Sequence, residues 1–139
     1  MIFIIDDDPS VQKAFSILLK AVGFDARAFP SAEEFLTHLS ISDGDCIILD
    51  LRMPGTGGLD LIEKLASREI KAPVICVTAF DDAESREQAR ALGAVAFFTK
   101  PVDDQALIDA INWAVHAGEK RTTKHATQYR ENKKMGKVR

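Results

Sequence analysis

Long apolar runs are missing from this chain. The longest are four or five residues, far below the roughly 20 that a membrane helix needs, so no membrane span is expected. Cysteine is scarce: Cys46 and Cys76 lie inside separate strand-like runs with no metal-ligand spacing between them. They read as buried free thiols in a reducing cytoplasm. There are three histidines, and none falls near the polar ends of the strand-like runs, which argues against zinc there. No basic region precedes the first apolar run and aspartates follow it at once, so no secretory signal is expected. Internal repeats and low-complexity tracts are also lacking.

What is present is an alternation. Four apolar runs end in polar chemistry. Ile2 to Ile5 runs into Asp6-Asp7-Asp8, and Cys46 to Leu49 runs into Asp50. Val74 to Val77 ends in Thr78, and Val95 to Phe98 ends in Thr99-Lys100-Pro101. A weaker run, Ala26 to Phe29, carries Arg27 and suggests a sheet edge. Between the runs lie helical patterns. Pro9 suits a first turn, and Val11, Ala14, Phe15, Leu18, Leu19 and Val22 follow helical spacing up to Gly23. Ser31 with Glu34 forms a capping box for a second helix. Gly57-Gly58 opens a third, carrying Leu59, Ile62 and Leu65. Asp81 or Asp82 caps a fourth, apolar only at Ala83, Ala89, Ala91 and Leu92, which should be the most mobile element. Asp103 caps a fifth, with Leu107, Ala110, Ile111 and Ala114 on one face and Trp113 opposite, exposed or marking an interface.

The 139 residues make one domain with length enough for a real core. Continuously apolar central strands imply helices on both faces of a parallel sheet. Right-handed crossovers with short connections favour an α/β fold with five strands in the order 2-1-3-4-5. All the polar tips then share the carboxyl edge, where open α/β sheets bind ligands.

Asp6, Asp7 and Asp50 gathered there with Lys100 would sum to −3 and +1. Like charges this close disfavour ionisation or call for a cation, and carboxylate oxygens suit Mg²⁺ or Mn²⁺. A carboxylate beside such an ion, an ammonium and a hydroxyl can attack phosphorus. Thr78 could donate to a phosphoryl oxygen, and Ala79 is small enough to leave access.

These pieces resemble the receiver domain of a bacterial two-component response regulator over residues 1–117. They are Ile-Ile-Asp6-Asp7-Asp8, Leu49-Asp50-Leu-Arg-Met-Pro54, Gly58, Val77-Thr78-Ala79 and Phe97-Phe98-Thr99-Lys100-Pro101. The stretch around Asp50 is most similar to receivers of the nitrogen-fixation and LuxR-type transcriptional regulators. The resemblance implies a flavodoxin-like, doubly wound sheet with five helices. It makes Asp50 the phosphoacceptor, and it implies metal binding by Asp7, Asp50 and the backbone carbonyl of Arg52, with Asp6 acting through water. Lys100, Thr78 and the backbone of Ala79 would contact the phosphoryl group. Thr78 and Phe97 would be the switch pair, Lys100-Pro101 a cis peptide, and Arg52 and Phe80 would tune the lifetime, Phe80 by shielding Asp50 from water. The turn after Asp50, Pro54-Gly55-Thr56-Gly57, lacks the family's usual Met and acid before Gly58, which predicts a looser loop.

The function so implied is a cytoplasmic signalling switch, not an enzyme with an outside substrate. A histidine kinase or phosphotransfer protein would be its donor. Phosphorylation would alter the surface of the fourth helix and fifth strand, the face with the fifth helix through which a homodimer could form. A receiver piece of a longer DNA-binding regulator is the alternative for output. An aspartate-nucleophile, Mg-dependent phosphatase is disfavoured, since that family puts its nucleophile at the first strand. A pseudo-receiver usually lacks the acceptor or the lysine, and both are present.

Charge is divided unevenly. Residues 1–117 hold 19 acids against 10 bases, and residues 118–139 hold 2 against 8. The latter read as a basic polar tail, partly helical or disordered, with no base-reading architecture and no direct nucleic-acid binding by this domain.

Overall fold

The computed structural model describes residues 1–37, 40–42, 44–79 and 82–122, the last five as backbone only. Strands and helices alternate: β1 Ile2–Ile5, α1 Pro9–Ala21, β2 Ala26–Phe29, α2 Ala32–Leu36, β3 Cys46–Leu49, α3 Gly58–Ser67, β4 Val74–Thr78, α4 Ala83–Ala91, β5 Ala96–Thr99 and α5 Asp104–Thr122. All strand pairs are parallel and the order is β2-β1-β3-β4-β5. The expected flavodoxin-like order is therefore the observed one, and Arg27 does lie on an edge strand, its guanidinium 5.2 Å from the Phe29 ring centroid.

Period-two alternation places the two faces of β1, β3 and β4 in two cores. On one face Phe3, Ile5, Ile47, Leu49 and Cys76 pack with Phe35, Leu61 and Leu65. On the other Ile2, Ile4, Ile48, Ile75 and Val77 pack with Leu19, Leu107 and Ile111. Burying each such side chain contributes about 1.5–3 kcal/mol, so these two cores at the sheet centre supply a large share of the fold's stability. Phe3, Phe29 and Phe35 add tilted ring contacts, with centroids 5.3–6.0 Å apart. Both cysteines are buried and free, and burial pushes each thiol up to about 12.

Capping follows the sequence closely. Asp8 accepts from the Ser10 amide ahead of Pro9, Ser31 Oγ from the Glu34 amide, and Asp103 from the Ala106 amide. Asp82 caps α4; Asp81 lies outside the described residues. Val22 departs from the apolar stripe predicted for α1. The helix ends at Ala21, and Val22 as its C-cap is exposed. His116 Nδ1 lies 2.7 Å from the Asn112 carbonyl oxygen, one turn back along α5. His38 and His125 fall outside the described residues. Trp113 is exposed. α5 runs past residue 117 to Thr122, and the rest of the basic tail is outside the described residues. Among the described residues no helix is long and apolar enough to cross a membrane.

Candidate functional site

The sheet ladder itself sets the site. One residue beyond β1, β3 and β5, the backbone is still bonded to the neighbouring strand. Asp6 N–H donates to the Phe29 carbonyl at 3.1 Å, Asp50 N–H to Ile5 at 2.9 Å, and Lys100 N–H to Thr78 at 2.8 Å. The side chains at the carboxyl edge are thus carried by backbone as rigid as the strands. Lys100-Pro101 is a cis peptide.

Asp6, Asp7 and Asp50 each turn a carboxylate oxygen to one place, all within 4.8 Å of one another. Asp6 and Asp50 are buried, and Asp7 is exposed. Lys100 Nζ donates to Asp6 Oδ2 at 2.7 Å and reaches Asp50 Oδ2 at 3.4 Å. Asp6 Oδ1 accepts from the Asp8 amide and Asp50 Oδ1 from the Arg52 amide. Gln12 Nε2 donates to the Asp6 carbonyl at 2.7 Å. Nothing along the chain singles out Gln12; its position on the first turn of α1 becomes meaningful only once that turn sits over β1.

Desolvation is the main reason the Asp50 carboxyl is held above its usual range. The Arg52 amide and Lys100 oppose it, and Asp6 adds to it. For Lys100 burial is the largest single influence and lowers the ammonium, yet the hydrogen bond to Asp6 and the charges of Asp50 and Asp6 together outweigh it. The net direction is up.

A raised carboxyl has a testable sign. Folded protein holds the Asp50 proton more tightly than unfolded chain, so stability falls as pH rises from about 3.8 through the folded value. Above that window the charge is a standing cost. Asp50→Asn should therefore be more stable than the parent at neutral pH with a chelator present, and the gain should vanish below pH 3.8. Urea unfolding across pH checks it.

Thr78 ends β4 fully buried, and among the described residues its Oγ1 has no hydrogen-bond partner. A buried unpaired hydroxyl costs about 1–3 kcal/mol and is a mark of a place where something else binds. Ala79 beside it is exposed. Phe97 is half-buried on β5, and the Arg86 guanidinium of α4 lies 4.9 Å from its ring centroid. Arg52 is exposed and pairs with Asp82 at 3.7 Å, tying the turn after Asp50 to the cap of α4. Phe80 is outside the described residues.

The donor set fits a hard divalent cation: its oxygens are all carboxylates, and that of Asp7 lies in solvent reach. The cluster can hold a metal ion.

Fold and site together define an open α/β protein with an acidic centre and a lysine at the carboxyl edge of its sheet. The sequence pattern of the response regulator receiver domain matches residues 2–112, and the chain belongs to that family. It is 39% identical over 115 residues to the transcriptional regulatory protein TdiR of Thauera aromatica, covering 82% of this chain and 50% of TdiR. To the transcriptional regulatory protein FixJ of Bradyrhizobium diazoefficiens it is 32% identical over 118 residues, covering 85% and 58%. Among solved structures, the response regulator StyR superposes with a TM-score of 0.82 at 35% identity, covering 93% of this chain and 65% of that one. FixJ-N superposes at 0.77 and 33% identity, covering 83% and 92%. The chain spans about half the length of the curated relatives it matches.

Proposed function

We propose that this receiver domain takes a phosphoryl group on Asp50 from a phosphohistidine of a histidine kinase or phosphotransfer protein, in the cytoplasm. The observation that carries the reading is the pairing of a crowded carboxylate cluster with an orphaned hydroxyl, Thr78 Oγ1, on adjacent strands. The first is an excess of negative charge and the second an unused donor; a metal ion and a phosphoryl group satisfy both.

Asp7, Asp50 and the Arg52 carbonyl would hold Mg²⁺, or Mn²⁺ in its place, with Asp6 acting through a water. When bound, the ion neutralises charge on the phosphoryl oxygens. An Asp50 carboxylate oxygen attacks phosphorus. An O–P bond forms, the N–P bond breaks, and its electron pair stays on the donor imidazole. Lys100, held by Asp6, turns to the phosphoryl oxygens. Thr78 donates its hydroxyl and the Ala79 amide assists. Burial of Asp50 leaves the nucleophile poorly hydrated and ready for attack. Water later hydrolyses the acyl phosphate at a rate set by Arg52 and Phe80. Self-phosphorylation and this hydrolysis are the only reactions the domain catalyses.

Movement of Thr78 toward the phosphoryl group would leave space that Phe97 follows inward, changing the α4–β5 face. A homodimer through α4, β5 and α5 is one use of that face. The names of TdiR and FixJ and the half-length match support a second reading of the output, in which residues 1–117 are the receiver of a longer transcriptional regulator and the following basic residues lead away from it. Asp7→Asn should weaken Mg²⁺ binding about tenfold or more and slow phosphorylation from acetyl phosphate in step, with folding intact. Titration calorimetry and a phosphorylation time course check this. Steady turnover of small phosphate esters would instead indicate a phosphatase.

A further inference from the structure

The turn after Asp50 is expected from its sequence to be loose, and the structure ties it down from outside. Glu33, on α2, accepts a hydrogen bond from the Thr56 amide at 2.8 Å across 23 residues of chain. Gly55 before it has φ +77°, and a Cβ there would lie 2.9 Å from Glu33 Oε2. The carboxylate therefore occupies space that a side chain at 55 would take. The Thr56 hydroxyl and amide hold the exposed Glu33 carboxyl below its usual range. At its other end the turn is closed by the Gly58 amide on the Leu51 carbonyl at 3.2 Å. Arg52 lies between these two fastenings, its amide on Asp50 Oδ1.

We propose that Glu33 is a positioning residue for the acidic centre: by clamping Gly55-Thr56 it fixes the Arg52 carbonyl where a divalent cation needs an oxygen. The inference rests on the reading of Asp7, Asp50 and the Arg52 carbonyl as metal ligands. It also explains how this turn does without an acid of its own. A carbonyl left to wander loses affinity because its ordering must then accompany binding.

Mn²⁺ alone is the probe, its free concentration read by electron paramagnetic resonance on the full chain. Glu33→Ala should raise the Kd about tenfold. Glu33→Gln, which keeps an oxygen acceptor for the Thr56 amide, should recover most of the affinity. Gly55→Ala should lose affinity as Glu33→Ala does, and the double variant should be no worse than either. Urea midpoints taken without metal confirm that each variant folds. An unchanged Kd in a folded Glu33→Ala, or a Glu33→Gln as weak as Glu33→Ala, overturns the clamp and leaves the metal site standing. A parent protein that binds no Mn²⁺ overturns the reading of the centre, and the clamp with it.

Discussion

Gly58→Ala lowers the unfolding free energy by about 3 kcal/mol and disturbs Asp50 as well. Gly58 is the first residue of α3 and is buried. A Cβ there would stand 2.6 Å from Leu51 Cα, 2.7 Å from the Leu51 side chain and 2.9 Å from the Asp50 carbonyl oxygen. Two of those three atoms are backbone and cannot swing away. Either α3 moves off the sheet, opening the contacts of Leu61 and Leu65 with the core, or the tip of β3 moves and takes Asp50 with it. The backbone angles at 58 are ordinary for a helix start, so the requirement is space alone. Urea unfolding measures the loss. Gly57→Ala is the control, because the nearest atom to a Cβ there is the Leu51 carbonyl oxygen at 3.9 Å, and it should cost well under half as much.

Thr78→Val gives the opposite pattern, a firmer protein that no longer responds. The substitution exchanges a buried, unpaired hydroxyl for a methyl of the same shape. The strand keeps its ladder, since the Thr78 carbonyl still accepts from the Lys100 amide. Relieving an unpaired buried group of this kind stabilises by about 1 kcal/mol. Asp50 should still be phosphorylated, because its carboxylate, the acidic cluster and Lys100 are untouched. Amide chemical-shift changes that phosphorylation produces in α4 and β5 should be lost. A variant that is less stable, or that shows the parent's full shift changes, would contradict the role given to this hydroxyl. Natural sites commonly hold stability in reserve in this way for function.

Much of the fold could be read along the chain because its signals are local. Each central strand is a short apolar run ending in a polar residue, and every helix but α3 is opened by a side-chain cap. Those signals stop at element ends. Val22 continues the spacing of α1 but lies past the last helical residue, and periodicity does not say where a helix stops. For the site, Asp6, Asp7, Asp50, Thr78 and Lys100 were selectable because parallel strands bring every tip to one edge. What could not be read is contact between tips and their surroundings. Gln12 on the Asp6 carbonyl, Arg52 on Asp82, and above all Glu33 on Thr56 join segments with no shared periodicity. The looseness inferred for the Pro54 to Gly57 turn followed from the Met and acid it lacks beside the family it resembles, and Glu33 supplies from α2 a fastening that such a comparison of motifs cannot show. Nor could burial leave an obvious trace of the Thr78 hydroxyl: a threonine ending an apolar strand reads the same whether or not its oxygen finds a donor.

Phosphorylation of Asp50 is tested most directly by the intact mass of the protein after incubation with Mg²⁺ and acetyl phosphate, beside Asp50→Asn treated alike. One added phosphoryl group, removed by hydroxylamine, is expected in the parent and none in the variant. An equal gain in Asp50→Asn, or no gain in the parent from acetyl phosphate and from a phosphorylated kinase alike, would contradict it.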